Sequence, residues 1–304
     1  SPWWIADNGT GKTTLYNIST AATTFFTVPG AGGAQGNPTG LVFNGGSGFT
    51  VNGGPAIFIF SSEDGTISAF RGGVITTVVP NANAVAHGAI YKGLAIDSRT
   101  AGQFLYATDF HNGKVDVFDT SFHLVTLSGH FTDPNLPAGF APFGIQNIGG
   151  TLYVTYALQD EDAEDDVAGP GNGFVDAYDL NGNLNRRVAT AGELNSPWGL
   201  ALAPADFGRF SGDLLVGNFG NGRIHAFDPT SFTSTGEFEA VGLLHSAAGK
   251  PIQIDGLWSL QFGHGTTAVG ANGLTTTLFF TAGPSGEDHG LFGSIVLTEP
   301  PGRQ

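Results

Sequence analysis

The 304-residue chain contains no cysteine and no methionine. Disulfides, thiolate metal centres and cysteine nucleophiles are thereby excluded. Missing sulfur also suits an oxidising extracellular setting, where both side chains are liabilities. Charge is scarce: Asp, Glu, Lys and Arg make up 12% of the residues, well below the usual share. Basic residues are scarcest, 11 Lys and Arg against 26 Asp and Glu, for a formal net charge of −15 and a pI near 4.6. Nucleic-acid binders carry clustered Lys and Arg, and here only Arg186 and Arg187 are adjacent. Neither nucleic acid nor an anionic membrane surface is an expected partner, whereas cations suit such a surface. No run of 18 apolar residues occurs, so no membrane-spanning helix is expected. No signal-peptide pattern lies within these residues either.

What is abundant is glycine, with 48 residues, joined by 16 Pro and 25 Phe. Strong helix formers are thin between the glycines. Such a composition predicts an all-β protein with many tight turns and a large aromatic core. The stretch GTGKTT (9–14) resembles the end of a phosphate-binding loop, G-x-x-x-x-G-K-[ST]. The first glycine of that pattern falls on Ala6, and the following residues are β-branched and aromatic with no helical stripe. A phosphate loop needs a helix N-terminus behind it, so a turn between strands is the expected structure.

A repeat explains the turn. A short strand introduced by P-[aromatic or Thr]-G-[apolar] occurs as NPTGLVF (37–43), APFGIQ (141–146) and SPWGLA (196–201). Degenerate copies are YKGLAI (91–96) and DGLWSL (255–260). Each is followed by a second strand, a glycine turn and a third strand ending in an aromatic, as in FLYATDFHNGKVDVF (104–118) and LLVGNFGNGRIHAF (214–227). A poorer fourth strand follows most copies. WWIADNGTGKTTLY (3–16) aligns with the second and third strands, so Lys12 matches Lys114. Repeats at a spacing of about 40–50 residues read as propeller blades. The expected fold is a single six-bladed β-propeller with blades near 1–31, 35–80, 84–128, 138–190, 194–241 and 251–298. Its first blade lacks the inner strand.

The turns of form N-[FH]-x-[NG]-G-x-[IV] resemble NHL-type repeats. Longer stretches, among them APFGIQNIGG (141–150), DDVAGPGNGFVDAYD (165–179) and NSPWGLALAPADFG (195–208), resemble an uncharacterised family of bacterial exported proteins, some with PEP-CTERM sorting tails. The resemblance spans nearly the whole chain and implies export and a propeller fold. It carries no activity, and no sorting tail follows TEPPGRQ (298–304).

Two turns between second and third strands are enlarged. The first, 159–173, holds Asp160, Glu161, Asp162, Glu164, Asp165 and Asp166. Oxygen donors of this kind suit Ca²⁺, although the spacing is not that of an EF-hand. Asp160, Asp162, Asp165 and Asp166 are the candidate calcium ligands, against a solvated acidic loop. The second, AGPSGEDHG (282–290), brings Glu287, Asp288 and His289 to the rim, with His111 in the equivalent turn of the third blade. Asn37, Asn195 and Asp255 are polar residues at the starts of inner strands, and Phe143, Trp198 and Trp258 are aromatic ones. These are candidate channel-mouth contacts, with inter-blade packing the alternative for the aromatics. No metalloprotease helix motif and no nucleophile elbow occurs. The sequence therefore points to an exported binding or scaffold propeller, in contact with an extracellular protein, a glycan or its own copies. A metal-dependent hydrolase or lyase, or a filament subunit, are the alternatives.

Overall fold

The computed structural model describes residues 2–18, 23–80, 88–97, 102–265 and 272–297. The expected boundaries at 84 and 298 lie outside them. Blade one comprises β1 (Trp3–Asp7), β2 (Lys12–Tyr16) and β3 (Thr23–Thr27). Blade two runs β4 (Pro38–Phe43), a small hairpin of β5 (Thr50–Val51) and β6 (Gly54–Pro55), then β7 (Phe58–Ser62), β8 (Ile67–Arg71) and β9 (Val74–Val79). Blade three is β10 (Tyr91–Ile96), β11 (Leu105–Asp109), β12 (Lys114–Phe118) and β13 (Leu124–Val125). Blade four is β14 (Phe140–Ile148), β15 (Thr151–Leu158), β16 (Gly173–Tyr178) and β17 (Leu184–Thr190). Blade five is β18 (Pro197–Leu202), β19 (Leu214–Asn218), β20 (Ile224–Phe232) and β21 (Phe238–Leu243). Blade six is β22 (Leu257–Phe262), β23 (Leu278–Ala282) and β24 (Leu291–Ile295).

The fold is the expected all-β, six-bladed propeller. Four blades have four strands, and blades one and six have three among the described residues. Pairing within each blade is antiparallel, as in β1 on β2, where Trp3 faces Tyr16 and Asp7 faces Lys12. The GTGKTT stretch is the turn of that hairpin: Gly11 has φ +60 and its N–H donates to the Asn8 carbonyl at 3.1 Å. No helix follows it, so the phosphate-loop resemblance is a turn signature alone.

Apolar side chains fill the spaces between blades. Ile59, Ala69, Leu94 and Leu105 form one such layer between blades two and three, and Leu215, Ile224, Leu257 and Leu278 another between blades five and six. Burial on both faces of each sheet explains why the strands read as nearly continuous apolar runs. At the axis the inner strands pack side by side in the order β4, β10, β14, β18, β22. The glycine of each P-x-G motif permits this approach. A Cβ on Gly144 would sit 2.4 Å from the Trp198 carbonyl oxygen, and one on Gly93 would sit 2.9 Å from that of Phe143. Threonine hydroxyls fasten the ring: Thr39 donates to the Tyr91 carbonyl at 2.8 Å, and Thr108 to that of Phe143 at 2.7 Å.

Candidate functional site at the channel mouth

In all five inner strands the pairing register shifts at the middle residue of the P-x-G position. Such a bulge re-aims a side chain. The residues concerned are Thr39, Lys92, Phe143, Trp198 and Trp258. A neighbouring set comes from the first residue of the turn after the second strand of blades one to five: Asn8, Glu63, Phe110, Gln159 and Phe219. The two sets divide the mouth by chemistry. Blades one to three contribute Asn8, Thr39, Glu63 and Lys92, while Phe110 of blade three joins the mostly aromatic residues of blades four to six.

The aromatic half is a ladder of edge contacts. Phe110 meets Phe143 at 5.2 Å between ring centroids, Phe143 meets Trp198 at 4.5 Å, and Trp198 meets Trp258 at 4.4 Å and 86°. Phe143 and Trp198 are buried, so packing is their first role. Trp258 and Phe219, 4.8 Å apart, are half-buried and form the accessible end.

The polar half is organised by Lys92, which is 2% exposed. Its ammonium donates to Glu63 Oε1 at 2.6 Å and to Asp165 Oδ1 at 3.0 Å, and lies 5.9 Å from the Phe110 ring. Asn8 Nδ2 holds the other Glu63 oxygen at 2.9 Å. Burial works against the charge on Lys92, but Glu63 and then Asp165 outweigh it and lift the amine above its ordinary value. Glu287 faces the same cluster. Partial burial and the Glu63 charge push its carboxyl upward, against the pull of Lys92.

The acidic turn does not gather its carboxylates. Asp165 reaches across to Lys92, and Asp160 accepts the backbone N–H of Glu164 at 2.9 Å. Asp166 is half-buried with Oδ2 unpartnered, and burial raises its pKa. Asp162 is exposed. Among the described residues no group of three His, Cys, Asp or Glu is arranged to hold a metal ion. Of the four candidate calcium ligands, Asp160 is engaged by a backbone N–H and Asp165 by a lysine ion pair.

The other candidates are placed as follows. His289 and Asp288 line the central cavity, whose volume is about 980 Å³, together with Trp198, Trp258 and Glu287. His111 is separate from His289 and lies 3.3 Å from the Ala163 carbonyl oxygen through Nδ1. Asn195 is a structural residue, buried and accepting the Gly169 N–H at 2.8 Å. Asp255 accepts the Ser285 N–H at 2.8 Å, ordering the 282–290 turn. Asn37 is exposed, and its carbonyl accepts the Glu63 N–H at 3.0 Å. Sequence reasoning missed Lys92 and Glu63. Their signal was present in register: Lys92 stands where Phe143 and Trp198 stand, and Glu63 where Phe110 and Phe219 stand.

This architecture defines a six-bladed β-propeller with a mouth that is ionic on one side and aromatic on the other. No family model matches the chain. It is 32% identical over 96% of its length to the uncharacterized protein R648 of Acanthamoeba polyphaga mimivirus, covering 71% of that protein. It is 31% identical to the uncharacterized protein L690 of the same virus, again over 96% of the chain and covering 76% of the relative. The chain belongs to the family of these proteins. The relatives are viral, which departs from the bacterial source implied by the resemblance of the longer motifs. Among solved structures, a Penicillium chrysogenum α-L-arabinanase complexed with arabinobiose superposes with TM-score 0.56 at 11% identity, covering 94% of this chain and 85% of that one. A Fusarium graminearum α-L-arabinofuranosidase with arabinobiose gives TM-score 0.55 at 12% identity, covering 93% and 83%. At such identity the likeness is one of fold.

Proposed function

We propose that the protein is a non-enzymatic binding propeller that takes a polar, uncharged ligand of the glycan type at its channel mouth. The observation that carries this is the two-sided mouth. Trp258 lines the cavity with Asn8 and Glu287, Phe219 stands half-buried beside Trp258, and Glu63 is fixed by Asn8 and the buried Lys92. Sugars suit such a pairing, since an apolar ring face stacks while hydroxyls need both donors and acceptors. Glu63 and Asp165 are engaged by Lys92, which favours recognition over proton transfer. An exported, surface-located role belongs to this reading, and its support is the absence of Cys and Met.

Tryptophan fluorescence titration with an oligosaccharide panel, arabinobiose among them, tests the reading. At least one glycan should perturb the emission, Trp258→Ala should abolish that change, and Lys92→Met should weaken binding at least tenfold. A panel without any binder would overturn the glycan assignment. A hydrolase remains a second reading because Glu287 has an upward-shifted carboxyl beside the mouth, the property of a general acid. Release of monosaccharide from the same panel, lost in Glu287→Gln, would establish it.

A further inference from the structure

The adjacent arginines Arg186 and Arg187 line a second cavity, away from the mouth. It measures about 760 Å³ and lies along β17, the outermost strand of blade four, between the 133–137 loop and residues 235–237 of blade five. Neighbouring residues of a strand point to opposite faces, and the two arginines have different surroundings. Arg187 is committed within the fold: it stacks 4.7 Å from the Phe174 ring and pairs with the buried carboxylates of Asp133 and Asp176. Arg186 belongs to the opposite face, in the cross-strand row of Ala177 and Tyr153. It reaches blade five, where its guanidinium stands 4.3 Å from the Phe232 ring and 5.7 Å from that of Phe238, and donates to the Gly236 carbonyl at 3.4 Å. Among the described residues no carboxylate pairs with it, although acids outnumber basic residues 26 to 11 in the chain. Glu237, next to Gly236, is half-buried and accepts from the hydroxyls of Thr190 and Thr235, and among the described residues it has no cation partner either. Two opposite charges thus flank one cavity without neutralising each other.

We propose that this cavity binds a small amphoteric molecule of the amino acid class, with its carboxylate on Arg186, its ammonium on Glu237 and an apolar side chain against Phe174 and Leu184. A guanidinium carries five N–H donors in one plane, and the stacked rings fix that plane, an arrangement that receives a carboxylate through two parallel bonds. A purely anionic ligand would meet Glu237, and a purely cationic one would meet Arg186. A ligand with both charges satisfies both groups. Asp133 does not compete for the ammonium, because Arg187 holds it. The bonds from Thr190 to Glu237 and from Arg186 to Gly236 cross from β17 to blade five, so the space suits a compact molecule rather than an added strand. The site shares no residue with the mouth and stands independently of the glycan reading.

Isothermal titration calorimetry of the 304-residue chain with each of the common L-amino acids, at up to about 10 mM, tests the proposal. The expected result is binding of at least one amino acid with an apolar side chain, with its deamino and decarboxy analogues each about tenfold weaker or more, as the loss of one charge-assisted contact implies. Arg186→Gln should remove the advantage over the decarboxy analogue, and Glu237→Gln the advantage over the deamino analogue. Trp258→Ala, at the mouth, should change neither. The analogue comparison on the unmodified chain stands without the variants. Failure of every amino acid to bind would overturn the proposal. So would a deamino analogue that binds equally well, or a response that disappears in Trp258→Ala.

Discussion

Lys92 is the residue on which the mouth turns. A buried ammonium needs partners, and it has two carboxylates of unequal value. Glu63 is 28% exposed, whereas Asp165 is 75% exposed and screened by water. Replacing Lys92 by Met leaves the partly buried Glu63 without its cation and should cost about 1–3 kcal/mol in urea unfolding at neutral pH. The sign of the pH dependence follows from the raised amine. Its stabilisation is complete below the ordinary lysine value of about 10.4 and fades as pH rises through the higher folded value. The gap between wild type and Lys92→Met should accordingly hold to about pH 10 and narrow above it. Glu287 shifts in the same direction, but there it is the neutral form that folding favours. Its raised carboxyl means that folding favours the protonated form, so its contribution is present at low pH and lost as pH rises through the folded value. Glu287→Gln should melt higher than wild type at pH 7 and level with it below about pH 4.3, as calorimetry would show.

Among the elements, the inner strand is the unit that makes a propeller of these blades. Three of the five carry the proline, all five shift register at the middle residue, and in four a glycine lets the next blade approach. Gly144→Ala should cost about 1–3 kcal/mol or more, because the new Cβ would lie 2.4 Å from a main-chain oxygen that has little room to move. A lowered denaturation midpoint with an unchanged slope would bear this out. Gly171→Ala, by contrast, meets nothing closer than 3.8 Å, and its cost would come from its φ of +83 alone. The strands were legible in the sequence because both faces of each sheet are buried, so apolar runs bounded by glycine turns announce them. The P-x-G strand was legible for the same reason. That its middle position forms a bulge, and that five such bulges neighbour one another around the mouth, is a matter of register that no linear pattern displays.

For the whole molecule, the net charge of −15 on 304 residues is an unbalanced surface. Self-repulsion destabilises the compact state and is screened by salt, the Debye length falling from about 30 Å at 0.01 M to about 8 Å at 0.15 M. The melting temperature should therefore rise with sodium chloride over that range. Because the acids of the 159–173 turn are dispersed, calcium chloride at equal ionic strength should raise it no further. A calcium-specific increment removed by Asp165→Ala with Asp166→Ala would instead establish a folded-state calcium site in that turn.

The sequence by itself determined the class of the chain, its six-fold repeat, and the rejection of the phosphate-loop reading. These are properties of local pattern: glycine turns, apolar runs and a repeated motif, each written within a few tens of residues. Tertiary structure decided which polar groups meet. Lys92 and Asp165 are 73 residues apart and Asn8 and Glu63 are 55 apart, yet they form one network because blades converge at the axis. It also set Asp165 against a buried ammonium and Asp160 against a backbone N–H.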